Sequence, residues 1–362
     1  MSKIVSIATA LPAYKHEQEK ILDFMQRVFA LNEPDQRKLK FLYHKSGIQT
    51  RYSVIADYSR PVKDWKFYPR SENLEPFPTV EQRMALYQKY AAPLSVDAIR
   101  NCIEGFIRPD EITHLITVSC TGMSAPGLDL QIVSLMDLPN TIYRSSVNFM
   151  GCYAAIHALK MADAICKTEL DARVVIVCTE LCTLHFQHEA TSDNIASSLL
   201  FSDGSAAALV IHESQPAKGL SLKSFYAEII PKGRKDMAWE ISSSGFLMTL
   251  SGYIPDLIEE DFEPLVERAL KTAGVGRDEI THWCVHPGGK RILEAICNCL
   301  QLTNGHLDPS YRVLRDFGNM SSPTILFVLK EMMYKSGFGE NQKIFGAAFG
   351  PGLTMETFLA FS

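Results

Sequence analysis

The chain has 362 residues, of which 46% are hydrophobic and 21% are charged, and it carries a net charge of −5. These values are typical of a globular protein with a large core, and the length predicts two or three domains. The negative charge, without a basic stripe, argues against nucleic-acid binding, and no apolar run approaches the roughly 20 residues that span a bilayer.

The first predicted element is a strand at residues 3–9. The N-terminus superficially resembles a signal peptide, with Lys3 before a short apolar stretch, but Ser6 and Thr9 interrupt that stretch. The nine cysteines are odd in number and irregularly spaced. Both observations favour a cytoplasmic protein over a secreted, disulfide-bonded one.

The sequence DEITH occurs twice, at residues 110–114 and 278–282. Each copy follows a predicted helix that opens with Pro-Leu, at Pro93 and Pro264, and each leads into a short apolar strand. This shared context indicates an internal duplication and predicts two α/β units packed against each other. The polar segment 213–219 divides them, so we predict one domain at 1–213 and a second at 219–362.

Cys152 lies between a predicted strand, residues 141–148, and a predicted helix, residues 152–167. A thiol at a helix N-terminus faces unpaired N–H groups and the positive end of the helix dipole, which favour the nucleophilic thiolate. Gly151 allows a sharp turn and leaves room for a substrate carbonyl. On its own such a cysteine is more often a buried structural residue, so the prediction depends on partners further along the chain.

Two later junctions supply those partners. His286 ends a predicted strand at residues 281–285, before an amphipathic helix at 290–300, and Asn319 precedes another predicted helix. Strand-to-helix junctions are where open α/β sheets keep ligand sites. A nucleophilic cysteine needs a base and an oxyanion stabiliser. Alone, each residue is a turn histidine or a helix cap; with Cys152 they predict a catalytic set.

Four segments carry a family resemblance: GCYAA (151–155), HPGG (286–289), FGNMSS (317–322) and FGPGLT (349–354). In order and spacing they resemble the type III polyketide synthases, the chalcone and stilbene synthase family. The Tyr-Ala-Ala-Ile that follows Cys152 is closer to the bacterial branch. The resemblance implies an α/β, thiolase-like fold of two duplicated halves in five layers (αβαβα). Cys152 would come from the first half, with His286 and Asn319 from the second.

The resemblance also implies an acyltransferase. Cys152 would take an acyl group from an acyl-CoA, and His286, as an imidazolium, would lower the thiol pKa from about 8.5. His286 and Asn319 would then bind the thioester carbonyl of malonyl-CoA and stabilise the enolate that decarboxylation leaves. Cyclisation would give a product of pyrone, resorcinol, phloroglucinol or chalcone type. The substrates are CoA thioesters, no cofactor is implied, and the enzyme would be a homodimer.

Other matched positions are expected to contact substrate. Phe201 matches a gatekeeper phenylalanine, Met248 replaces a second one, and Ala125 replaces a methionine that reaches into the partner's cavity. A core phenylalanine is the alternative for Phe201. The remaining expected substrate contacts are Ser321, Gly350 and Pro351.

Basic residues are expected to bind CoA. Lys38 and Lys45 match the outer two of three family positions, while Phe41 replaces the middle arginine. Lys40, Lys290 and Arg291 are further candidates, and a solvated surface side chain is the alternative for each. The sequence shows no glycine-rich phosphate loop, so we expect no nucleotide cofactor besides CoA.

Three alternatives remain open. A chain-initiating 3-oxoacyl-carrier-protein synthase shares the fold and the Cys-His-Asn set, but its asparagine usually lies in an Asn-Ala-Asn-type motif. A degradative thiolase would need a second active cysteine, which residues 346–353 lack. A non-catalytic scaffold is disfavoured because all three reactive residues are present.

The histidines and cysteines after the next predicted strand raise the question of a metal. Cys178, Cys182, His185 and His188 have a spacing that zinc ligands can share. The family pattern implies no metal there, so we expect Cys182 and His185 to line the acyl cavity or pack beside it. His157 is expected to be a hydrogen-bonded core histidine.

Overall fold

The structure is a computed structural model that describes residues 1–71, 74–303, 305–335 and 339–362. The helices are α1 (Gln18–Val28), α2 (Glu33–Lys45), α3 (Val80–Ile103), α4 (Leu128–Met136), α5 (Ala154–Thr168), α6 (Ser192–Leu200), α7 (Ile254–Ala273), α8 (Lys290–Cys299), α9 (Asp308–Phe317) and α10 (Thr324–Lys335). The strands are β1 (Ser2–Ala10), β2 (Tyr14–Glu17), β3 (Thr50–Ser53), β4 (His114–Ser119), β5 (Tyr143–Asn148), β6 (Arg173–Leu181), β7 (Asp203–His212), β8 (Leu220–Ile229), β9 (Met237–Ser242), β10 (Gly245–Leu250), β11 (His282–Val285), β12 (Lys343–Gly350) and β13 (Thr354–Phe361).

One long sheet runs through both halves of the chain, in the order β11-β12-β13-β8-β1-β7-β6-β4-β5. In the first half β4 and β6 are parallel, and β7 and β1 follow antiparallel. The second half repeats this pattern, because β11 and β12 are parallel and β13 and β8 follow antiparallel. Three residue pairs join the halves, where Ser2–Ile4 run antiparallel to Leu220–Leu222.

The core divides into layers, as expected from the five-layer prediction. Helices α5 and α10 contribute to one apolar cluster that also takes in side chains from both halves of the sheet. On the far faces of the sheet, α3 and α4 pack against the first half, and α7 and α8 pack against the second. The order is therefore helix, sheet, helix, sheet, helix. In the described part of the chain, no helix is both long and apolar enough to cross a membrane.

The duplicated DEITH segments have the same local geometry. Thr113 N–H donates to Arg173 O (3.1 Å) and Thr281 N–H donates to Lys343 O (3.0 Å). The Thr113 hydroxyl accepts from Arg173 N–H at 2.8 Å, and the Thr281 hydroxyl accepts from Lys343 N–H at 2.9 Å. In each half the threonine thus fixes the start of the parallel strand pair, and this repeated geometry supports the duplication.

Two details of the predicted elements were wrong. Pro93 and Pro264 lie inside α3 and α7 rather than at their starts. The helix after Cys152 begins at Ala154, two residues later than predicted. The division at residues 213–219 stays a prediction, although β7 ends just before this segment and β8 begins just after it.

Candidate active site

The three predicted reactive residues lie on turns that leave the sheet or enter a helix. Cys152 is in the turn between β5 and α5, His286 directly follows β11, and Asn319 lies between α9 and α10. All three are buried, with exposed fractions of 8%, 1% and 3%. The two halves of the chain therefore bring a thiol, an imidazole and a carboxamide to one interior region.

The turn that contains Cys152 requires glycine at position 151. Gly151 has φ +80°, and a Cβ atom there would lie 2.4 Å from Cδ of Pro351. The C-terminal loop therefore packs directly on the turn. This contact explains why glycine and proline stand in the two segments, beyond the room for a carbonyl that the sequence suggested.

Asn319 is held in a fixed orientation by the backbone. Its Oδ1 accepts from Ser321 N–H at 2.8 Å, and its Nδ2 donates to Gly288 O at 3.1 Å. Its own N–H donates to Leu200 O at 2.9 Å, which ties the loop to the end of α6. Because Nδ2 carries two N–H groups and one donates to Gly288 O, the other is left for a substrate oxygen.

Ser321 connects the asparagine to the nucleophile. Its hydroxyl lies 3.5 Å from Sγ of Cys152 and 3.7 Å from Sγ of Cys120. Ser321 has φ +61°, a left-handed conformation uncommon for a residue with a side chain. The surrounding hydrogen bonds hold it there, as is typical of functional sites.

His286 is buried without a partner for either ring nitrogen in the described structure. Its main chain continues the sheet, because His286 N–H donates to Ala347 O at 2.9 Å. A Cβ atom on Gly288 would lie 3.8 Å from Nε2 of His286, so the ring is next to the carbonyl that holds Asn319. Such an unpaired buried imidazole is available to a reactant.

Burial shifts the pKa values of Cys152 and His286 in the directions opposite to those that the predicted ion pair needs. Burial raises the pKa of the Cys152 thiol to about 11, and the Glu180 carboxylate adds to this, while hydrogen bonding between Cys152 and the side chains of Ser321 and Asn319 opposes it. Burial lowers the pKa of His286 to about 3. Burial therefore works against the predicted thiolate–imidazolium pair, because it disfavours the charged form of both groups, and that pair stays a prediction.

Glu180 is a buried carboxylate that the sequence analysis missed. It accepts from Cys120 N–H (2.9 Å), the Thr121 hydroxyl (2.8 Å) and the Ser322 hydroxyl (2.7 Å). Burial raises its pKa, and these donors oppose the shift. A glutamate within the apolar run VVIVCTEL was the available signal, since buried carboxylates are rare unless they are bonded.

Two neighbouring cavities lie in this region, and the nearer one is lined by Cys152. The nearer, with about 360 Å³ of empty space, is lined by Cys120, Thr121, Gly151, Cys152, Cys182, Phe201, Met237, Trp239, Met248, Ser321 and Pro351. The farther, with about 580 Å³, extends between α1, α6 and the β9–β10 pair. Four residues line both cavities: Cys182, Phe201, Trp239 and Met248. The predicted contacts Phe201, Met248, Ser321 and Pro351 thus lie beside the nucleophile.

Trp239 forms a rigid wall between these cavities and was not predicted. Its Nε1–H donates to Cys120 O at 2.7 Å, and its ring meets Phe246 edge-on at 5.9 Å. The hydrogen bond and the aromatic contact fix the indole in place. A tryptophan in the segment MAWEIS gave no sequence signal for this position.

A third cavity is a cleft that reaches Gly288, whose carbonyl accepts the hydrogen bond from Asn319. It holds about 980 Å³ and is lined by residues of α2, α6 and α8, including Lys45, Gly288, Gly289, Lys290 and Arg291. Three of the five cations predicted to bind CoA therefore line this cleft. Lys38 and Lys40 are exposed on α2 and are not among the lining residues.

The remaining predictions vary in outcome. Ala125 is exposed and Gly350 packs against Tyr153, and neither lines the cavity beside Cys152. A role for Ala125 in a partner's cavity stays a prediction. His157 is half-buried and bonded to Glu356 at 3.2 Å.

Three of the residues with zinc-like spacing, His185, His188 and Cys178, contact different neighbours. His185 is fixed by two backbone groups, since Phe246 N–H donates to its Nδ1 (3.1 Å) and its Nε2 bonds Thr121 O (2.7 Å). His188 packs against Phe77, and Cys178 lies in the central core. Among the described residues, no three His, Cys, Asp or Glu side chains are grouped to hold a metal.

Comparisons with known proteins agree with this site. Residues 1–215 match the model of the chalcone and stilbene synthases, N-terminal domain, and residues 221–362 match the C-terminal domain. The chain is 30% identical to the alpha-pyrone synthesis polyketide synthase-like Pks18 of Mycobacterium tuberculosis, over 98% of this chain and 90% of that protein.

Two solved structures have the same fold over their length. PKS-I from the brown alga Ectocarpus siliculosus has a TM-score of 0.92 at 27% identity, with 100% of this chain and 98% of that chain covered. The C-terminal type III polyketide synthase domain of Steely1, a type I/III hybrid from Dictyostelium, has a TM-score of 0.92 at 25% identity, with 100% and 99% covered.

The fold and the site define a thiolase-like acyltransferase. The chain belongs to the chalcone and stilbene synthase family and is a type III polyketide synthase. This assignment favours the polyketide synthase over the carrier-protein synthase and the scaffold that the sequence left open. Enzymes of this family use acyl-CoA and malonyl-CoA.

Proposed function

We propose that the enzyme loads a starter acyl group from an acyl-CoA onto Cys152, extends it with malonyl-CoA and releases a cyclised polyketide. The observation that carries this proposal is the buried group of Cys152, His286 and Asn319, with one cavity lined by Cys152 and a basic cleft lined by Gly288, which holds Asn319. The cleft would receive the CoA part, and the cavity the acyl part.

In the loading step the Cys152 sulfur attacks the thioester carbonyl. The neutral imidazole of His286 accepts the thiol proton as the bond forms, which avoids a buried thiolate in the resting state. The carbon–sulfur bond to CoA then breaks, and the proton passes to the departing CoA thiolate. The Cys152 acyl thioester is the product of this step.

In the extension step Asn319 and His286 stabilise the developing enolate. The free Nδ2–H of Asn319 would donate to the thioester oxygen of malonyl-CoA, and a neutral His286 would donate from its protonated nitrogen. Decarboxylation breaks the bond to the carboxylate carbon and releases carbon dioxide, and the resulting carbanion attacks the acyl carbon of the Cys152 thioester. The carbon–sulfur bond to Cys152 then breaks, and the freed thiolate takes up a proton from solvent. The product is longer by two carbons and stays on CoA.

We propose a short extension followed by pyrone formation. The starter would occupy the farther cavity, past Phe201 and Met248, and the growing chain the smaller one beside Cys152. Trp239 limits that smaller space, which favours few extensions. The likeness to a relative named for alpha-pyrone synthesis agrees with this product class.

Product analysis tests this proposal. The enzyme is incubated with malonyl-CoA and a panel of aromatic and fatty acyl-CoAs, and the products are identified by mass spectrometry. Fatty starters are expected to give mainly triketide pyrones, and Trp239→Ala is expected to shift them to longer products. Leu247→Ala is the matched control, because this side chain lies on the outer face of the same hairpin. Longer products from the wild type would contradict the size limit.

The homodimer that the resemblance implies would form at one end of the sheet. Strand β5 ends the nine-stranded sheet, and Tyr143 on it is 68% exposed. An open strand edge invites pairing with another chain. Met123 and Leu135 are further exposed apolar residues of the same half. Sedimentation as a monomer at micromolar concentration would contradict the dimer.

The proposal also covers the cellular location of the enzyme, its cofactor requirement and its branch of the family. A cytoplasmic location suits nine cysteines that are all in the thiol state. We propose that the enzyme works without a resident cofactor and that it belongs to the bacterial branch. Full activity of metal-free protein with the two CoA thioesters alone would support the first of these statements.

A further inference from the structure

Residues 49–52, most of which belong to β3, contact residues 315–318, the chain that leads directly to Asn319. Three of these contacts are two hydrogen bonds and a stacked aromatic pair: Gln49 N–H to Arg315 O (2.7 Å), the Thr50 hydroxyl to Asp316 O (2.6 Å), and Tyr52 on Phe317 (6.0 Å between ring centroids). Arg51 makes the fourth, because a Cβ atom on Gly318 would lie 2.9 Å from its Cγ. Four successive residues therefore support the turn that carries Asn319.

The side chain of Arg51 also holds the end of a helix beside this turn. Its Nη1 donates to Ser198 O and Phe201 O, both at 2.7 Å, at the C-terminal end of α6. The last carbonyls of a helix have no partners within it and carry partial negative charge, so a cation is stabilised there. Its Nε donates to Oε1 of Gln18, the first residue of α1, at 2.8 Å.

Phe201 and Asn319 are joined through the main chain in a parallel bridge. The N–H and the carbonyl of Asn319 bond to the residues on either side of Phe201, each at 2.9 Å. Phe201 lines the cavity that contains Cys152. Arg51 thus contacts both strands of this bridge, one through Phe201 O and the other through Gly318.

The burial of Arg51 is not explained by a need for stability. Arg51 is 3% exposed, and its three hydrogen-bond acceptors among the described residues are all neutral. Replacing buried charged groups with apolar side chains of similar volume is often neutral or stabilising. What an apolar side chain lacks is the planar fork of donors, with which one guanidinium reaches acceptors on two helices.

We propose that Arg51 is a positioning residue for the extension step, which fixes the Asn319 turn against Phe201 so that the free Nδ2–H of Asn319 meets the thioester oxygen of malonyl-CoA. This inference rests on the proposed role of Asn319. The turn that contains Cys152 packs on Pro351 instead, so starter loading depends less on Arg51.

Arg51→Lys tests the proposal, because it keeps the charge but not the fork. Labelled carbon dioxide released from malonyl-CoA reports decarboxylation, and intact mass of the acyl-enzyme reports loading. We expect kcat for decarboxylation to fall about tenfold or more, with its KM and the loading rate within about threefold of the wild type. Equal falls in both steps, or an unchanged decarboxylation, would overturn the proposal. A wild type that performs neither step would instead contradict the proposed function.

Arg83 provides a matched control. It is also a buried arginine, and its Nε and Nη1 donate to the backbone carbonyls of Pro78 and Leu184. Arg83→Lys should lower the free energy of unfolding in urea, as Arg51→Lys does, but leave the ratio of decarboxylation to loading within about threefold of the wild type. A ratio that falls equally in both variants would show that lost stability, rather than lost position, slows decarboxylation.

Chemical rescue tests the fork of donors directly. Arg51 lines the farther cavity, so a small molecule in that cavity can occupy the space that Arg51→Ala leaves. Millimolar guanidinium should raise the decarboxylation rate of Arg51→Ala about threefold or more, because it restores a planar cationic donor. Urea at the same concentration is planar but neutral and should not. Equal responses to guanidinium and urea would contradict the role given to the guanidinium group.

Discussion

Cys152 shows how burial can reverse an inference from sequence. The position before a helix predicted a lowered thiol pKa, but the helix begins at Ala154 and the thiol is enclosed by the protein. Burial therefore raises the pKa to about 11. The segment predicts Cys152 as the nucleophile, and that role stays a prediction. The charge of the thiol depends on packing by residues from both halves, which a local pattern does not contain.

The raised pKa predicts a particular reactivity with pH. Since only the thiolate is alkylated, the rate of iodoacetamide reaction at Cys152 should rise about tenfold per pH unit from pH 7 through pH 9. The measurement is peptide mass spectrometry at the Cys152 peptide, with Cys152→Ala as the control. A rate that is already constant below pH 7 would show a standing thiolate and contradict the neutral pair.

Asn319 is predicted to act mainly on malonyl-CoA. Asn319→Ala should lower decarboxylation by about 10²–10³-fold, because a donor to the enolate is lost, and should affect starter loading less. Release of labelled carbon dioxide reports the first step and intact mass of the acyl-enzyme the second. Intact decarboxylation with blocked acylation would reverse this division of roles.

At the scale of elements, the packing of two loops is the main determinant of the site. Gly151→Ala places a Cβ 2.4 Å from Pro351 at φ +80°, whereas Gly105→Ala meets nothing within 4 Å at φ +79°. Gly105→Ala therefore measures only the loss of unfolding free energy caused by the left-handed backbone, about 1–2 kcal/mol. Gly151→Ala should lose a further ~1–3 kcal/mol of unfolding free energy, and the enzyme should lose most of its acylation activity.

Urea unfolding and single-turnover acylation check this pair of variants. Equal losses of unfolding free energy in Gly105→Ala and Gly151→Ala would show that the C-terminal loop does not press on the nucleophile turn. Loss of acylation in Gly105→Ala would point to an effect unrelated to the contact.

The bounds of helices and strands were predicted well where the apolar periodicity was clear and residues that end such elements flanked it. Strand β1 and helix α8 lie within one residue of their predicted bounds, since their apolar periodicity is clear. The predicted starts of α3 and α7 were wrong because proline is common at the first position of a helix. In the structure Pro93 lies inside α3 and Pro264 lies inside α7. Tertiary packing of these long helices on the sheet outweighs the local preference.

At the scale of the whole molecule, the duplication was visible in sequence but its consequence was not. Five repeated residues predicted two similar halves, and the strand orders and directions agree. The joining of both halves through Ser2–Ile4 and Leu220–Leu222 had no sequence signal, because edge pairing between distant strands depends on the assembled core. The hydrogen bonds from Cys120 and Ser322 to Glu180 likewise had no sequence signal, because only folding brings these residues together.

A shared central layer predicts cooperative unfolding. Because α5 and α10 pack in one cluster with both halves of the sheet, peptides from the two halves should lose hydrogen-exchange protection at the same urea concentration. Exchange followed by mass spectrometry compares α3 with α7, which lie on opposite outer faces. Two separate transitions would indicate halves that fold independently.

The account depends most on one sulfur atom as the acyl acceptor. After a single turnover with a fatty acyl-CoA, the protein should gain the mass of one acyl group, found in the peptide that contains Cys152 and lost in Cys152→Ala but not in Cys120→Ser. An acyl group on Cys120 or on another cysteine, or none on an enzyme that still forms product, would contradict the account.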